Sequence, residues 1–267
     1  MRFKPYRALF RARARLLLQY RAAAFAGLCT QWVFGFVMIS ALTAFYQSGG
    51  AGQPMTLQQA VTYTWIGQAM LGMLPWNIDR ETGNSVRSGA VAYDLTRPID
   101  LYGHWFARAL ALRTAPTLLK SIPMFLIATF LMPEGLAMVW PAPAALFAWL
   151  AAVMGALLLS ASITVLMQTT MFWTVTGDGV TRIMPHFVTL LSGMIIPLPL
   201  MPDALQALLR IQPFAGLGSP ALLFAGTLPP EAVWGVLALQ GLWGVAFIAL
   251  GRWVMGCGLS RLTIAGG

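Results

Sequence analysis

Charged groups of both signs gather most densely between Asn77 and Asp100, where Asp79, Arg80, Glu81, Arg87, Asp94, Arg97 and Asp100 occur. Four acids and three bases with no nucleophile–base pair among them are suited to ion pairing and docking, not to bond cleavage. The rest of the chain supplies no missing catalytic partner. His104 and His186 are the two histidines, and no H-E-x-x-H, G-x-S-x-G or pair of acids inside an apolar run occurs. No G-x-x-x-x-G-K-[ST] is present to cradle nucleotide phosphates. Cys29 and Cys257 both sit in apolar runs, which argues against a zinc framework and against a disulfide. The chemistry on offer is recognition.

The elements that must carry these groups are apolar. Hydrophobic residues make up 58% of the 267 and charged residues 9%, with a mean hydropathy of +0.71. A soluble domain needs roughly 25% charge to clothe its surface, so lipid is the expected surroundings. A net charge of +9 on so few, unevenly placed charges does not describe a nucleic-acid binder. Six stretches approach the ~20 apolar residues that cross a bilayer: Ala22–Tyr46, Gln59–Trp76, Arg108–Met132, Ala144–Trp173, Ile183–Leu200 and Glu231–Met255. The first continues too far, behind too long a basic segment, for a cleaved leader, and is expected to stay. Placing the N-terminus in the cytoplasm puts Arg80, Arg87, Arg97, Arg182, Arg252 and Arg261 inside with seven N-terminal bases, Arg2 to Arg21, leaving Arg210 outside. Both termini are then cytoplasmic. The expected fold is an all-α membrane protein, one transmembrane domain over residues 1–267.

Three segments interrupt the spans. Residues 1–21 place Tyr6, Leu9, Phe10, Leu16, Leu17 and Tyr20 on one helical face and Arg7, Arg11 and Arg15 opposite, the pattern of a helix in the membrane interface. Arg13 breaks that apolar face and calls for either snorkelling or a protein carboxylate. In residues 77–100, a short helix over 79–88 with Gly89 as its stop is expected. Val91, Tyr93 and Leu95 then alternate like an extended segment, and Pro98 restarts a helix. Residues 201–230 are apolar but cut by Pro202, Pro213 and Pro220 into pieces of about ten residues, ~15 Å each, too short to cross. Two short helices entering the outer leaflet and returning are expected there.

The run SVRSGAVAYDLTRPI, Ser85 to Ile99, resembles the coupling-helix loop of type-2 ABC exporter permeases, with Val86, Gly89, Val91, Leu95, Arg97 and Pro98 at the motif positions. Ser192 to Gly226 is similar to a second signature of that family, through Gly193, Pro197, Pro202, Leu205, Pro213, Phe214, Pro220 and Gly226. The resemblance implies an interfacial N-terminal helix, six spans, a cytoplasmic coupling helix after the second and a re-entrant hairpin before the sixth. It also implies a permease, identical or related to a second copy, that docks a separate ATP-binding subunit; ATP and magnesium would be held there, and no cofactor here. Arg80, Glu81, Val86, Arg87, Gly89, Arg97 and Pro98 are the expected ATPase contacts, with Asp178 between two glycines as a turn residue and weaker contact. The expected cargo is an amphipathic small molecule, natural product or lipid-like compound exported across a bacterial inner membrane.

Inside the spans, Arg113, Pro116, Lys120 and Pro123 share one stripe of the third, and Ser160, Thr164 and Gln168 one stripe of the fourth. Arg113 and Lys120 either snorkel or face protein or a wet cavity; the fourth-span stripe either bonds between helices or lines a translocation path. The competing reading is an ion-coupled secondary transporter acting without an ATPase. Such transporters ordinarily carry an intramembrane acid, and none of the eight acids lies mid-span.

Overall fold

A computed structural model describes residues 3–48, 53–173, 178–194 and 196–260. Arg2, Gly177 and Arg261 lie outside the described residues, as does the side chain of Asp178. The described residues are helical, with no strand among them. The α-helices in chain order are α1 Lys4–Leu18, α2 Arg21–Gln47, α3 Leu57–Ala69, α4 Arg80–Arg87, α5 Val91–Leu95, α6 Leu101–Leu126, α7 Pro143–Thr169, α8 Asp178–Leu191, α9 Asp203–Ile211, α10 Ala215–Phe224 and α11 Val233–Leu259.

Four helical stretches are long and apolar enough to cross a membrane: Arg21–Gln47, Leu101–Leu131, Pro143–Trp173 and Pro230–Leu259. A fifth is added if α9 and α10, bent by 106° at their junction, count as one broken span. The expected second and fifth spans are shorter than hydropathy suggested. The 13 residues of α3 are prolonged only by a 3-10 turn, Leu71–Met73. Helix α8 stops at Leu191, because Gly193 takes φ +83°, and the remaining expected span, to Leu200, contains a turn and a separate 3-10 turn. Helix α3 is enclosed by α2, α6 and α10, while α7 packs on α6, α10 and α11. That is why α3 buries an unbroken run from Ala60 to Ile66 where a surface helix would show a polar stripe.

The helix expected to restart after Pro98 begins at Leu101 and runs into the third span, because Asp100 caps it by accepting the Gly103 amide at 2.9 Å. Two local expectations are corrected. Residues 91–95 are helical instead of extended. Pro220 does not break the hairpin; it sits inside α10. A proline at 220 leaves the carbonyl of residue 216 without its helical donor. Gln240 of α11 supplies one, its Nε2 donating to Gly216 O at 2.7 Å and to Ala152 O of α7 at 3.0 Å. The glycines make room, since a Cβ on Gly155 would lie 2.0 Å from Gln240 Oε1.

Candidate functional site

Helices α4 and α5 form a knuckle in the connection between α3 and α6. Asp79 starts α4 as its cap, accepting the Glu81 amide at 3.0 Å, and Gly89, φ +73°, ends it. Only glycine takes that backbone conformation without strain, so the chain turns and starts α5 immediately. The underside of the knuckle is buried through Thr82, Gly83 and Val91. Its outer side exposes Arg80, Arg87, Gly89, Arg97 and Pro98. Beside those cations Tyr93 is 76% and Leu95 46% exposed. Val86 is half-buried. A crevice of about 380 Å³ separates α4 from α8, lined by Arg80, Gly83, Asn84, Arg87 and Thr181.

The base of the knuckle is held by charge. Asp79 has no exposed side-chain surface. It accepts from Arg13 of α1 at 2.7 Å and from Arg108 of α6 at 3.2 Å. The same two guanidiniums reach Glu81, Arg13 at 2.7 Å and Arg108 in a short contact. The Arg108 hydrogen bond, and after it the Arg13 one, outweigh partial burial and hold the Glu81 carboxyl below its ordinary range. Arg13, the misfit on the apolar face, therefore finds its carboxylates 66 and 68 residues away in its own chain. A second fastening closes the other end of the segment. Asp100 accepts from Arg252 of α11 at 3.0 Å, its amide donates to Tyr6 Oη of α1, and Arg252 lies 4.7 Å over the Tyr102 ring. The Arg97–Asp94 pair, at 3.5 Å with the arginine exposed, is weaker.

A family model described as "ABC-2 family transporter protein" matches residues 32–266, most of the chain. The chain belongs to the ABC-2 transporter family. It is thus a multi-pass membrane permease of an ABC transporter, a transport subunit whose family works with an ATP-binding partner. No curated protein and no solved structure matches this ABC-2 protein significantly. The match starts inside α2, so Arg13 and α1 lie outside it.

Several polar residues of the ABC-2 permease's long helices, Arg113, Ser160, Thr164 and Gln168 among them, are sunk in its packed interior. Arg113 is buried and fully engaged, donating to Thr164 Oγ1 at 3.0 Å, Leu74 O at 2.7 Å, Asn77 Oδ1 at 3.1 Å and, in a short contact, Asn77 O. It ties α6 to α7 and to the connection entering α4. Ser160 donates to Met73 O in a short contact and Thr164 to Ser160 O at 2.8 Å. Gln168 is fully buried, with neither amide atom bonded among the described residues. Lys120 lines a cavity beside α2 that it shares with Arg113. In the hairpin region Pro197 precedes the 3-10 turn Leu198–Leu200, Pro202 caps α9, and Pro213 with Phe214 makes the 106° corner before α10. Gln240 was missed by sequence reasoning, where a lone glutamine in the last apolar run was the available signal. Tyr93 was read as one of an alternating trio, because its exposure depends on α5 being helical.

Proposed function

We propose that this permease exports an amphipathic compound, and that the α4–α5 knuckle is the coupling element through which a separate ATP-binding subunit drives it. The supporting observation is the construction of the knuckle. Its outer side offers an aromatic ring, a leucine and arginines to a partner, while its base is locked to α1 and α6 through Asp79 and Glu81. A push on α4 would reach α6 through charge-assisted hydrogen bonds instead of a slack loop. Helix α1 would be carried along, because both arginines grip the same acids.

In this reading the knuckle and both termini face the cytoplasm of a bacterium, as the excess of basic residues at that end favours. Helices α2, α3 with its 3-10 turn, α6, α7, α8 and α11 are the six spans, and α9–α10 is a re-entrant hairpin at the outer side. Two permease copies, identical or related, work with two ATP-binding subunits. The test is to isolate the permease from its native membrane by a tag and measure the ATP-binding subunit retained. Tyr93→Ala with Leu95→Ala is expected to lower retention and ATP-dependent transport with an unchanged melting temperature, since both side chains are exposed. Unchanged retention would refute the docking role; transport persisting without any bound ATPase would favour an ion-coupled carrier.

A further inference from the structure

Arg113 and Lys120, both on α6, differ in one respect. Arg113 spends its guanidinium on four hydrogen bonds within the chain. Lys120, two turns or ~10 Å further along the helix, has no hydrogen bond and no ion pair among the described residues, yet lies inside the Leu101–Leu131 membrane stretch. Its ammonium rests against α2 at Gly27, where a Cβ would come within 3.7 Å of Nζ. Lys120 lines a cavity of about 290 Å³ with Gln31, Trp76, Asn77, Arg113 and Pro116. Two further groups on that cavity are unsatisfied. Gln31, one turn along α2 from Gly27, is 5% exposed, and its Oε1 has no partner; neither has the buried Nε1 of Trp76. A cation and an acceptor within membrane-length helices and a donor on the adjoining connection, all unpaired among the described residues, call for something to fill the space between them.

We propose that this α2–α6 cavity binds the head of an acidic amphiphile: a phosphate or carboxylate paired with Lys120, a hydroxyl or amide donating to Gln31 Oε1, and an oxygen accepting from Trp76 Nε1. A second copy of the chain is a poor source of the anion. A two-fold axis along the membrane normal keeps equivalent residues at equal depth, and none of α2, α3, α6, α7 and α11 carries an acid. On α6 and its continuation the flanking acids are Asp100 and Glu134, ~30 Å and ~20 Å of helix from Lys120. Asp79 and Glu81 are held by Arg13 and Arg108, Asp100 by Arg252 and Asp94 by Arg97. Two sources share the required chemistry, an anionic membrane lipid and an acidic cargo molecule. The site needs α6 to span the membrane and does not depend on how an ATPase docks.

The test is native mass spectrometry of the full permease, with whatever subunits co-purify, after exposure to two probe pairs. The bilayer pair is phosphatidylglycerol against phosphatidylcholine; the soluble pair is dodecyl phosphate against dodecyl maltoside. The wild type is expected to retain the acidic member of at least one pair over its neutral or zwitterionic counterpart. Lys120→Met should reduce that retention by about tenfold or more, Gln31→Leu by a smaller factor, and Lys120→Arg should restore it. Lys120-dependent retention of phosphatidylglycerol identifies a lipid site, and Lys120-dependent retention of dodecyl phosphate alone identifies a site for a smaller acidic molecule. Equal retention of acidic probes by wild type and Lys120→Met overturns the proposal. So does a Lys120→Met variant whose copies separate while its probe retention is unchanged. Melting temperatures recorded on the same samples, together with the Gln31→Leu variant, keep the result readable if Lys120→Met folds poorly.

Discussion

Replacing Asp79 by asparagine removes a charge while keeping a cap. The asparagine oxygen can still accept the Glu81 amide, so most of the ~1 kcal/mol associated with an N-cap survives. What disappears is the anion between two guanidiniums whose side chains are 11% and 18% exposed. Removing one partner of a buried pair costs about 3–5 kcal/mol. Glu81 stays to neutralise part of the stranded charge, which places the expected loss near 3 kcal/mol. For a chain of this size that is roughly 6–12 °C in melting temperature. Asp79→Ala forfeits the cap as well and should fall about 1 kcal/mol further. The assay is thermal unfolding of the purified permease in detergent, run as a double-mutant cycle with Arg13→Gln. A coupling energy of about 1 kcal/mol or more is expected. Trypsin should also cut faster at Arg21, beside the joint between α1 and α2, once α1 is unlatched. Additive single-mutant losses, or an Asp79→Asn protein melting with the wild type, would refute the claim that α1 is fastened through this acid.

Two further outcomes follow from the packing and the charge. Gly155→Ala drives a Cβ into Gln240, which can swing away only by giving up its bonds to Ala152 and Gly216, a loss of about 2 kcal/mol; Gly218→Ala meets the Ser192 carbonyl at 2.0 Å, where backbone cannot yield, and should lose more. Unfolding of both variants against wild type checks the order. Glu81, its carboxyl lowered by Arg108, stabilises the fold above the unfolded carboxylate range of about 4.3 and ceases to do so as pH falls through its lower folded value. A Glu81→Gln variant should therefore melt below wild type at pH 7 and converge on it in acid; a gap that stays constant down to the acid limit contradicts the pairing.

How much of this was legible beforehand depended on the range of the interaction concerned. The helices α2, α7 and α11 follow from long uncharged runs, because lipid-facing composition is a property of the run itself. The start of α6 was marked by a different signal, Pro98, since hydropathy reports only where a helix enters lipid and α6 begins seven residues before Arg108, at its Asp100 cap. Three alternating residues, Val91, Tyr93 and Leu95, cannot separate a strand from one helical turn. Pro220 read as a break because its remedy, Gln240, lies 20 residues downstream on another helix. Arg13 announced a missing carboxylate by its place on an apolar face, but a partner 66 residues away leaves no local spacing to read. Of the expected contact residues, Arg80, Arg87, Gly89, Arg97 and Pro98 are exposed on the knuckle, whereas the stripe of Ser160, Thr164 and Gln168 is turned into the bundle, a distinction set by how α7 packs and invisible in its periodicity.

The glutamine that serves the carbonyl left open inside α10 ties two distant codons together. An alanine at position 220 would bring back an amide hydrogen, let the helix reclaim that carbonyl, and deprive Gln240 of one of its two reasons to be there. As such chains diverge, the proline and the glutamine should be lost or kept as a pair, so that the history of one position can be read from the other.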